Sequence, residues 1–347
     1  MKVALVSTSA TPVPPPAYGG IECFVGTLAH GLVDRGHDVV VYATGDSRPA
    51  GRLRVHFARP IWPPDASAER EHAQFALRDV ATFAPDIVHV NLPDALIPAR
   101  GATCPLVATL HGPPVPHLPR AYVCNDATCV AVSRRQARLL RELRGRLVVI
   151  PHGLDPMHFP PGSGDAGYCA FLGRIGPEKA PHLAIDAARE AGVPLRIGGP
   201  HWSGVRRYDR YFADEFAPRL THASPQATWL GELDHGEKIA LLRGASALLF
   251  PLGWEEPFGL VMIEAMLVGT PVVAFARGSA PEVVDEGVTG YLVDDVHAMA
   301  ATIRRAARLD RHRCRSRAQR RFGASLMVQR YEALYRSLGL ARRVNAA

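Results

Sequence analysis

Short apolar runs alternate with helix-length amphipathic stretches along almost the whole chain, and the alternation starts again near residue 160. The run KVALVS (Lys2–Ser7) is followed by a segment, 8–18, that holds four prolines and cannot be helical. Ile21, Phe24, Val25, Leu28 and Leu32 then recur with helical spacing up to Gly36, and DVVVYA (Asp38–Ala43) reads as a second strand. DIVHV (86–90), LVATL (106–110), Cys129–Val132 and LVVI (147–150) continue the series. Strands separated by helices argue for a parallel sheet covered on both faces. After the Pro/Gly-rich stretch 160–167 a new first strand, YCAFL (168–172), precedes a helix over 182–190. The strand candidates LRIGG (195–199), ATWLGEL (227–233), SALLFP (246–251) and TPVVAFA (270–276) follow it.

A chain of 347 residues accommodates two such halves. The pattern predicts an α/β protein of two Rossmann-like, doubly wound domains, 1–160 and 161–325. A last amphipathic helix (LMVQRYEALYRSL, 326–338) has no strand after it, and the segment 326–347 is set apart from both halves. Doubly wound sheets bind ligands outside the carboxyl ends of their strands, so the expected site is a central cleft that both halves face.

Several classes of function lack their signatures. No GxGxxG with a following ribose acid appears, nor a Walker A loop, an HExxH, a GxSxG or a DxD triplet, which removes the usual marks of nicotinamide, P-loop, zinc-protease, serine-hydrolase and metal-diphosphate chemistry. The six cysteines show no metal-ligand spacing, Cys124 and Cys129 being the closest pair, and read as structural thiols of a reducing compartment. The N-terminal apolar run is too short for a signal peptide, and no apolar run is long enough to span a membrane. The expected location is the cytoplasm. The net charge of +7 favours anionic ligands, although an arginine-rich composition alone would give it.

Four stretches carry candidate chemistry. In GRIGPEK (173–179), Gly173 ends a strand, and Arg174 and Lys179 precede a helix. A guanidinium fork, a point charge and a helix N-terminus together suit a diphosphate, though a charged surface loop would look the same. In EEPFGLVMIE (255–264), Pro257 fits the first turn of a helix, and the amides of Phe258, Gly259 and Leu260 would be orphan donors at its start. Glu256 precedes that helix, and Glu264, about two turns along, can accept from the vicinal hydroxyls of a ribose; capped or salt-bridged acids are the plainer reading. Gly19 and Gly20 in YGGIE permit close backbone approach to a ligand or simply make a turn. His111 ends the LVATL strand, where site residues lie but structural histidines also occur.

With these motifs the chain resembles glycosyltransferase family 4, the retaining enzymes of GT-B fold, and the small actinobacterial members in particular. The resemblance rests on YGGIE, TLHG (109–112), VAVSRRQ (130–136), VIPHGLD (149–155), FLGRIGPEK (171–179), EPFGLVMIEAMLVGTPVVA (256–274) and GSAPEVVDEGVTGYLV (278–293). It implies that Arg174 and Lys179 hold the diphosphate of a nucleotide sugar and Glu264 its ribose. Glu256 and the amides of Phe258, Gly259 and Leu260 would take the sugar and distal phosphate. Gly19 and Gly20 would close over the phosphates, His111 would approach the sugar, Leu233 in the loop 230–238 would border the base, and the final helix, 326–347, would cross back onto the N-terminal domain. The implied reaction transfers a hexose-type sugar, from a UDP-sugar first and a GDP-sugar next, to a hydroxyl acceptor, with no metal and no other cofactor. A GT-B sugar-nucleotide epimerase or phosphorylase and a catalytically silent nucleotide- or glycan-binding protein are the alternatives. The chain departs from the family at Ala180, where glycine is frequent, and at His152, where asparagine is frequent.

Two arginine-rich stretches stand outside these motifs. Residues 133–146 hold six arginines beside Leu139, Leu140 and Leu143, and 304–321 hold nine. The first suits a helix lying on the anionic inner face of a membrane; both equally suit solvated helix faces. Without interleaved aromatics, neither reads as a nucleic-acid surface.

Overall fold

The computed structural model describes residues 1–92, 104–113, 127–140, 143, 147–223 and 227–346, in two compact units. One comprises Met1–Gly153 with Ala324–Ala347, the other Leu154–Gly323. The divisions fall at 153/154 and 323/324, where the sequence reading set 160/161 and 325/326.

The first unit is a seven-stranded sheet of order β3-β2-β1-β4-β5-β6-β7, every neighbouring pair parallel. Its strands are β1 Lys2–Val6, β2 Asp38–Ala43, β3 Arg52–Val55, β4 Ile87–Val90, β5 Leu106–Leu110, β6 Thr128–Ala131 and β7 Leu147–Val149. Alternate residues of β1 enter two cores. Val3 and Leu5 join Phe24, Leu28 and Leu32 of helix α1 (Gly20–Asp34), while Ala4 and Val6 join Ala73, Ala76 and Phe83 of α2 (Ala66–Phe83). A strand buried on both faces must be apolar at every position, which is why KVALV shows no alternation. The Asp65 side chain caps α2 by accepting from the amides of Ser67 and Ala68.

The second unit is a six-stranded parallel sheet of order β10-β9-β8-β11-β12-β13. The strands are β8 Cys169–Leu172, β9 Leu195–Gly198, β10 Ala227–Trp229, β11 Leu248–Phe250, β12 Val272–Phe275 and β13 Gly290–Val293. The helices after α2 are α3 Arg134–Leu139, α4 Pro181–Ala191, α5 Arg206–Tyr211, α6 Ala217–Ala223, α7 His235–Gly244, α8 Leu260–Leu267, α9 Ala280–Val283, α10 Val296–Ala306, α11 Arg311–Phe322 and α12 Ala324–Ala346. Both sheets reverse their winding once, between β1 and β4 and between β8 and β11. Strands β3 and β13 were not among the strands that apolar runs suggest: β3 is a short edge strand of sequence RLRV, mostly exposed.

The two arginine-rich stretches differ: Arg134, Arg135 and Arg138 of the first are exposed, while several arginines of the second are built into the fold. Helix α3 is six residues long; Leu140 and Leu143 beyond it are buried in the core of the first unit, while Leu139 stays 41% exposed. In α11, Arg311 donates to the carbonyls of Gly162 and Ala245, Arg315 to those of Phe159 and Leu267, and Arg317 and Arg321 pair with Asp285. Guanidinium forks satisfy orphan carbonyls and carboxylates here. No helix of the described residues is long and apolar enough to cross a membrane. Among the cysteines, Cys124 lies outside the described residues, and Cys169 and Cys314 are buried thiols.

Helix α12 belongs to the first unit. Its Met327, Val328, Tyr331 and Tyr335 are buried in the core shared with α1. The two helices approach so closely that a Cβ on Gly31 of α1 would lie 2.5 Å from Cγ2 of Val328. Gly31→Ala should therefore destabilise the protein by about 1–2 kcal/mol, despite alanine's better helix propensity. The Gly31→Ala/Val328→Ala double variant should cost less than the sum of the two single changes in urea unfolding. Simple additivity would show that the contact is not close.

Candidate functional site

In the second unit the candidate residues gather at the carboxyl ends of β8, β9 and β11. Gly173 N–H donates to Gly198 O at 2.9 Å, and Ile175 N–H to Pro200 O at 2.9 Å, so the 173–180 loop lies on the exit of β9. A Cβ on Gly199 would stand 1.9 Å from Gly173 O, a spacing only glycine allows. Arg174 Nε donates to Glu178 Oε1 at 2.8 Å, its guanidinium lies 3.9 Å from the Trp202 ring centroid, and Tyr208 Oη donates to the same Glu178 oxygen at 3.1 Å. The arginine is thus oriented by a carboxylate on one side and stacked on an indole on the other.

Lys179 Nζ stands 2.5 Å from Glu256 Oε2, and Trp254 Nε1 donates to that oxygen at 2.6 Å. Two donors therefore fix one oxygen of Glu256, and Oε1 carries no hydrogen bond among the described residues. Glu264, buried on α8, accepts from Lys238 Nζ at 2.7 Å through Oε1. Each buried acid of EEPFGLVMIE is paired with a lysine from another element, as a desolvated carboxylate requires.

The helix after Glu256 begins later than its sequence suggests. Gly259, at φ 76°, is the residue that caps α8, and the helix starts at Leu260. Pro257 therefore lies in the approach loop and not in the first helical turn, and Glu264 stands just over one turn into the helix, not two. Phe258 is buried, its carbonyl accepting from Ser279 Oγ at 2.6 Å. A Cβ on Gly278 would lie 2.5 Å from the Glu256 amide nitrogen, so the GSAPE segment braces the EEPFG loop from behind. Leu233 packs against Gly198, where a Cβ would meet its Cδ1 at 2.5 Å. Next to it, Asp234 and Glu237 form a capping box at the start of α7, which places Lys238.

In the first unit, Gly19 precedes α1, and a Cβ there would meet Pro15 and Glu22 Oε2. Glu22 is buried, accepts from Thr8 Oγ1, and has its pKa raised by burial. His111 is half-buried. Its Nε2 lies 3.0 Å from Asn91 Oδ1, and its ring stacks on His152 with centroids 5.3 Å apart and planes 8° from parallel. Phe24 meets both rings at 5.0 Å. Below them, His89 bonds Tyr335 Oη and Thr109 Oγ1, each at 2.7 Å, tying α12 to the sheet. Burial lowers the pKa of His89 and of His152 to about 3. His111 is also driven well below its ordinary value, first by burial and then by His152 and His89.

Sequence reasoning named Arg174, Lys179, Glu256 and Glu264 but not their partners Glu178, Trp202, Trp254 and Lys238. Glu178 was legible as the acid four residues after Arg174; Trp202 and Lys238 come from distant segments with no local signal. His152, noted in the sequence only as standing where asparagine is frequent, stacks on His111.

The description "Glycosyl transferases group 1" matches residues 158–321, and "Glycosyltransferase Family 4" matches 18–158. The D-inositol 3-phosphate glycosyltransferase of Mycolicibacterium smegmatis is 38% identical over 177 residues, 46% of this chain and 39% of that protein. That of Mycobacterium tuberculosis (strain F11) is 34% identical over 238 residues, 61% of this chain and 48% of its own length. The chain thus spans less than half the length of these curated relatives. Among solved structures, AviGT4, a glycosyltransferase involved in avilamycin A biosynthesis, aligns over 98% of both chains with a TM-score of 0.77 and 25% identity. Anabaena Alr3699/HepE in complex with UDP and glucose covers 97% of this chain and 100% of its own, with a TM-score of 0.76 and 22% identity.

The buried imidazoles make stability pH-dependent. His89 and His152 ionise near an ordinary 6.5 when unfolded and at about 3 when folded, so the unfolded state takes up more protons between those values. Stability should be full above pH 6.5 and fall as the pH drops, by about 2 kcal/mol per ring at pH 5. Urea unfolding at both pH values should show this loss, and His152→Gln should reduce it. Replacing the exposed His30 should leave it unchanged. Equal stability at both pH values would contradict the assignment.

Proposed function

Because the chain belongs to the family 4 glycosyltransferases and has their GT-B fold, we propose that it moves a hexose-type sugar from a nucleotide-diphosphate sugar to a hydroxyl acceptor, with retention at the anomeric carbon and no metal. The observation that carries this reading is the arrangement on the second unit. Two cations stand on one braced loop, and two buried carboxylates each have one oxygen held by a lysine. In this reading Arg174 and Lys179 take the diphosphate, with the amides of Phe258, Gly259 and Leu260 at the start of α8. Glu264 accepts from the ribose hydroxyls through its remaining oxygen, and Glu256 from the sugar through Oε1. Leu233 borders the base. Gly19, Gly20 and His111 of the first unit are assigned to the phosphates and a sugar hydroxyl.

Breaking the bond between the anomeric carbon and the phosphate oxygen builds positive charge on the sugar and negative charge on the leaving diphosphate. Arg174 and Lys179 stabilise the latter. The acceptor hydroxyl attacks from the face the diphosphate leaves, and a phosphate oxygen takes its proton. No carboxylate nucleophile is then needed, which agrees with both acids being committed to hydroxyls and lysines. A fold relative that holds UDP and glucose puts UDP first among the nucleotides to test, and relatives named for inositol phosphate put that acceptor first.

Calorimetry against UDP, GDP, ADP and TDP without added metal should show binding of one nucleotide, lost in Arg174→Ala. Turnover of the matching sugar nucleotide should fall on the order of 10²–10³-fold in Lys179→Ala. Trp254→Phe should weaken turnover more than nucleotide binding, since it removes a donor from the sugar-directed Glu256 while keeping an aromatic ring beside Lys179. A folded protein that binds none of the four would sink the proposal. Turnover without any acceptor would favour an epimerase.

A further inference from the structure

Asn91 follows β4 and is fully buried. Its amide is oriented by the backbone: Nδ2 donates to Val6 O at 3.2 Å, and Oδ1 stands 3.0 Å from His111 Nε2. The reverse orientation would set Oδ1 against the Val6 carbonyl, two acceptors in contact, and would turn the NH₂ toward the histidine. The backbone of β1 therefore decides which end of the amide meets the imidazole. An oxygen acceptor 3.0 Å away requires the proton on Nε2.

We propose that Asn91 is a positioning residue that fixes His111 as the Nε2–H tautomer, leaving Nδ1 as a standing hydrogen-bond acceptor. A neutral ring with Nδ1 unprotonated can accept from a hydroxyl and cannot donate to a phosphate or carboxylate. His111 thus recognises a donor group, of the kind a sugar hydroxyl offers, and does not act as a cation beside the leaving group. This assignment of the recognised group rests on the proposed sugar transfer; the tautomer itself does not.

The surroundings hold the ring neutral. Among the described residues, the groups against His111 are Phe24 of α1, Asn91 after β4, His152 after β7, and His89 of β4 behind them. None carries a fixed charge, and a second imidazolium in a parallel stack would repel the first. Stacking on His152 also limits rotation of the His111 ring, so that the Asn91 bond and the stack together set which nitrogen is presented.

The test is long-range proton–nitrogen NMR of the ¹⁵N-labelled full chain, with His111 assigned by its absence in His111→Gln. The expected wild-type signature is a protonated Nε2 and a bare Nδ1, unchanged between about pH 5 and 8. In Asn91→Leu, close in volume, the single tautomer should give way to a mixture. In Asn91→Asp the Nε2–H signature should persist, but the ring should begin to titrate within that window, because the carboxylate stabilises the imidazolium. Nε2 protonation that survives unchanged in Asn91→Leu, or a wild-type ring protonated on Nδ1, would overturn the proposal. Calorimetry of the same samples with UDP, GDP, ADP and TDP separates the two readings: an Nε2–H ring in a protein that binds none of the four would leave the tautomer standing and remove the sugar transfer.

Discussion

Burial of parallel strands on both faces is the constraint from which the rest of this structure follows. Such a sheet spends all its side chains on packing, so Val3, Ala4, Leu5 and Val6 of β1 are all core residues. Polar chemistry can then reside only past the strand ends, where backbone groups leave the ladder and helices begin. Every candidate in the molecule obeys this. Arg174 and Lys179 follow β8, Glu256 follows β11 with Glu264 on the helix beyond it, His111 follows β5, and Asn91 follows β4. Helix N-termini supply the same edge with amides that lack intrahelical partners.

The buried acids at that edge need partners, and the identity of the partners constrains what the site can do. Glu256 and Glu264 are each 7% exposed, a burial that unpaired carboxylates would not tolerate. Each receives a lysine on one oxygen, so the charge is compensated while a lone pair set is left for a neutral donor. Arg174 is held differently. Its carboxylate partner Glu178 is itself buried, and the guanidinium lies 3.9 Å over the Trp202 ring, so contacts on two sides hold the fork that an anion would meet. Preorganisation of this kind lowers the ordering cost of binding.

The sequence made the fold class and the charged ligands of the second unit legible, because apolar periodicity and motif spacing are local signals. Ile21, Phe24, Val25, Leu28 and Leu32 announce α1 with no knowledge of what it packs against. The start of α8 was misread because proline at a first helical turn and proline in an approach loop look alike, and the difference is the left-handed Gly259. The Lys238–Glu264 and Trp254–Glu256 contacts show the same limit at two ranges. The first joins residues 26 apart, across a strand and two loops. The second joins residues two apart, yet nothing local tells an indole to donate to that acid. The histidine pair was hidden for a related reason: His111 and His152 lie on separate strand exits, and only the sheet order brings them together.

Ala180 shows how firmly the loop that carries Arg174 and Lys179 is held. It sits at φ 50°, in the left-handed region that costs a non-glycine residue roughly 1–2 kcal/mol. Neighbouring contacts over-determine that conformation. The amides of Lys179 and Ala180 both donate to Gly176 O, at 3.2 and 2.9 Å, closing the turn, and Pro181 begins α4 immediately after. The alanine methyl is buried, which offsets part of the strain that glycine would avoid. From the other side, Gly253 N–H donates to Glu178 O at 3.0 Å, and a Cβ on Gly253 would lie 2.4 Å from Pro177 O. The loop is therefore locked backbone to backbone onto the segment that continues into Trp254 and Glu256. Lys179, Trp254 and Glu256 meet within hydrogen-bond distance because two glycine-dependent approaches, at Gly199 and at Gly253, fix the loop on both flanks. The strain at Ala180 is tolerated there because relieving it would shift the lysine away from its carboxylate.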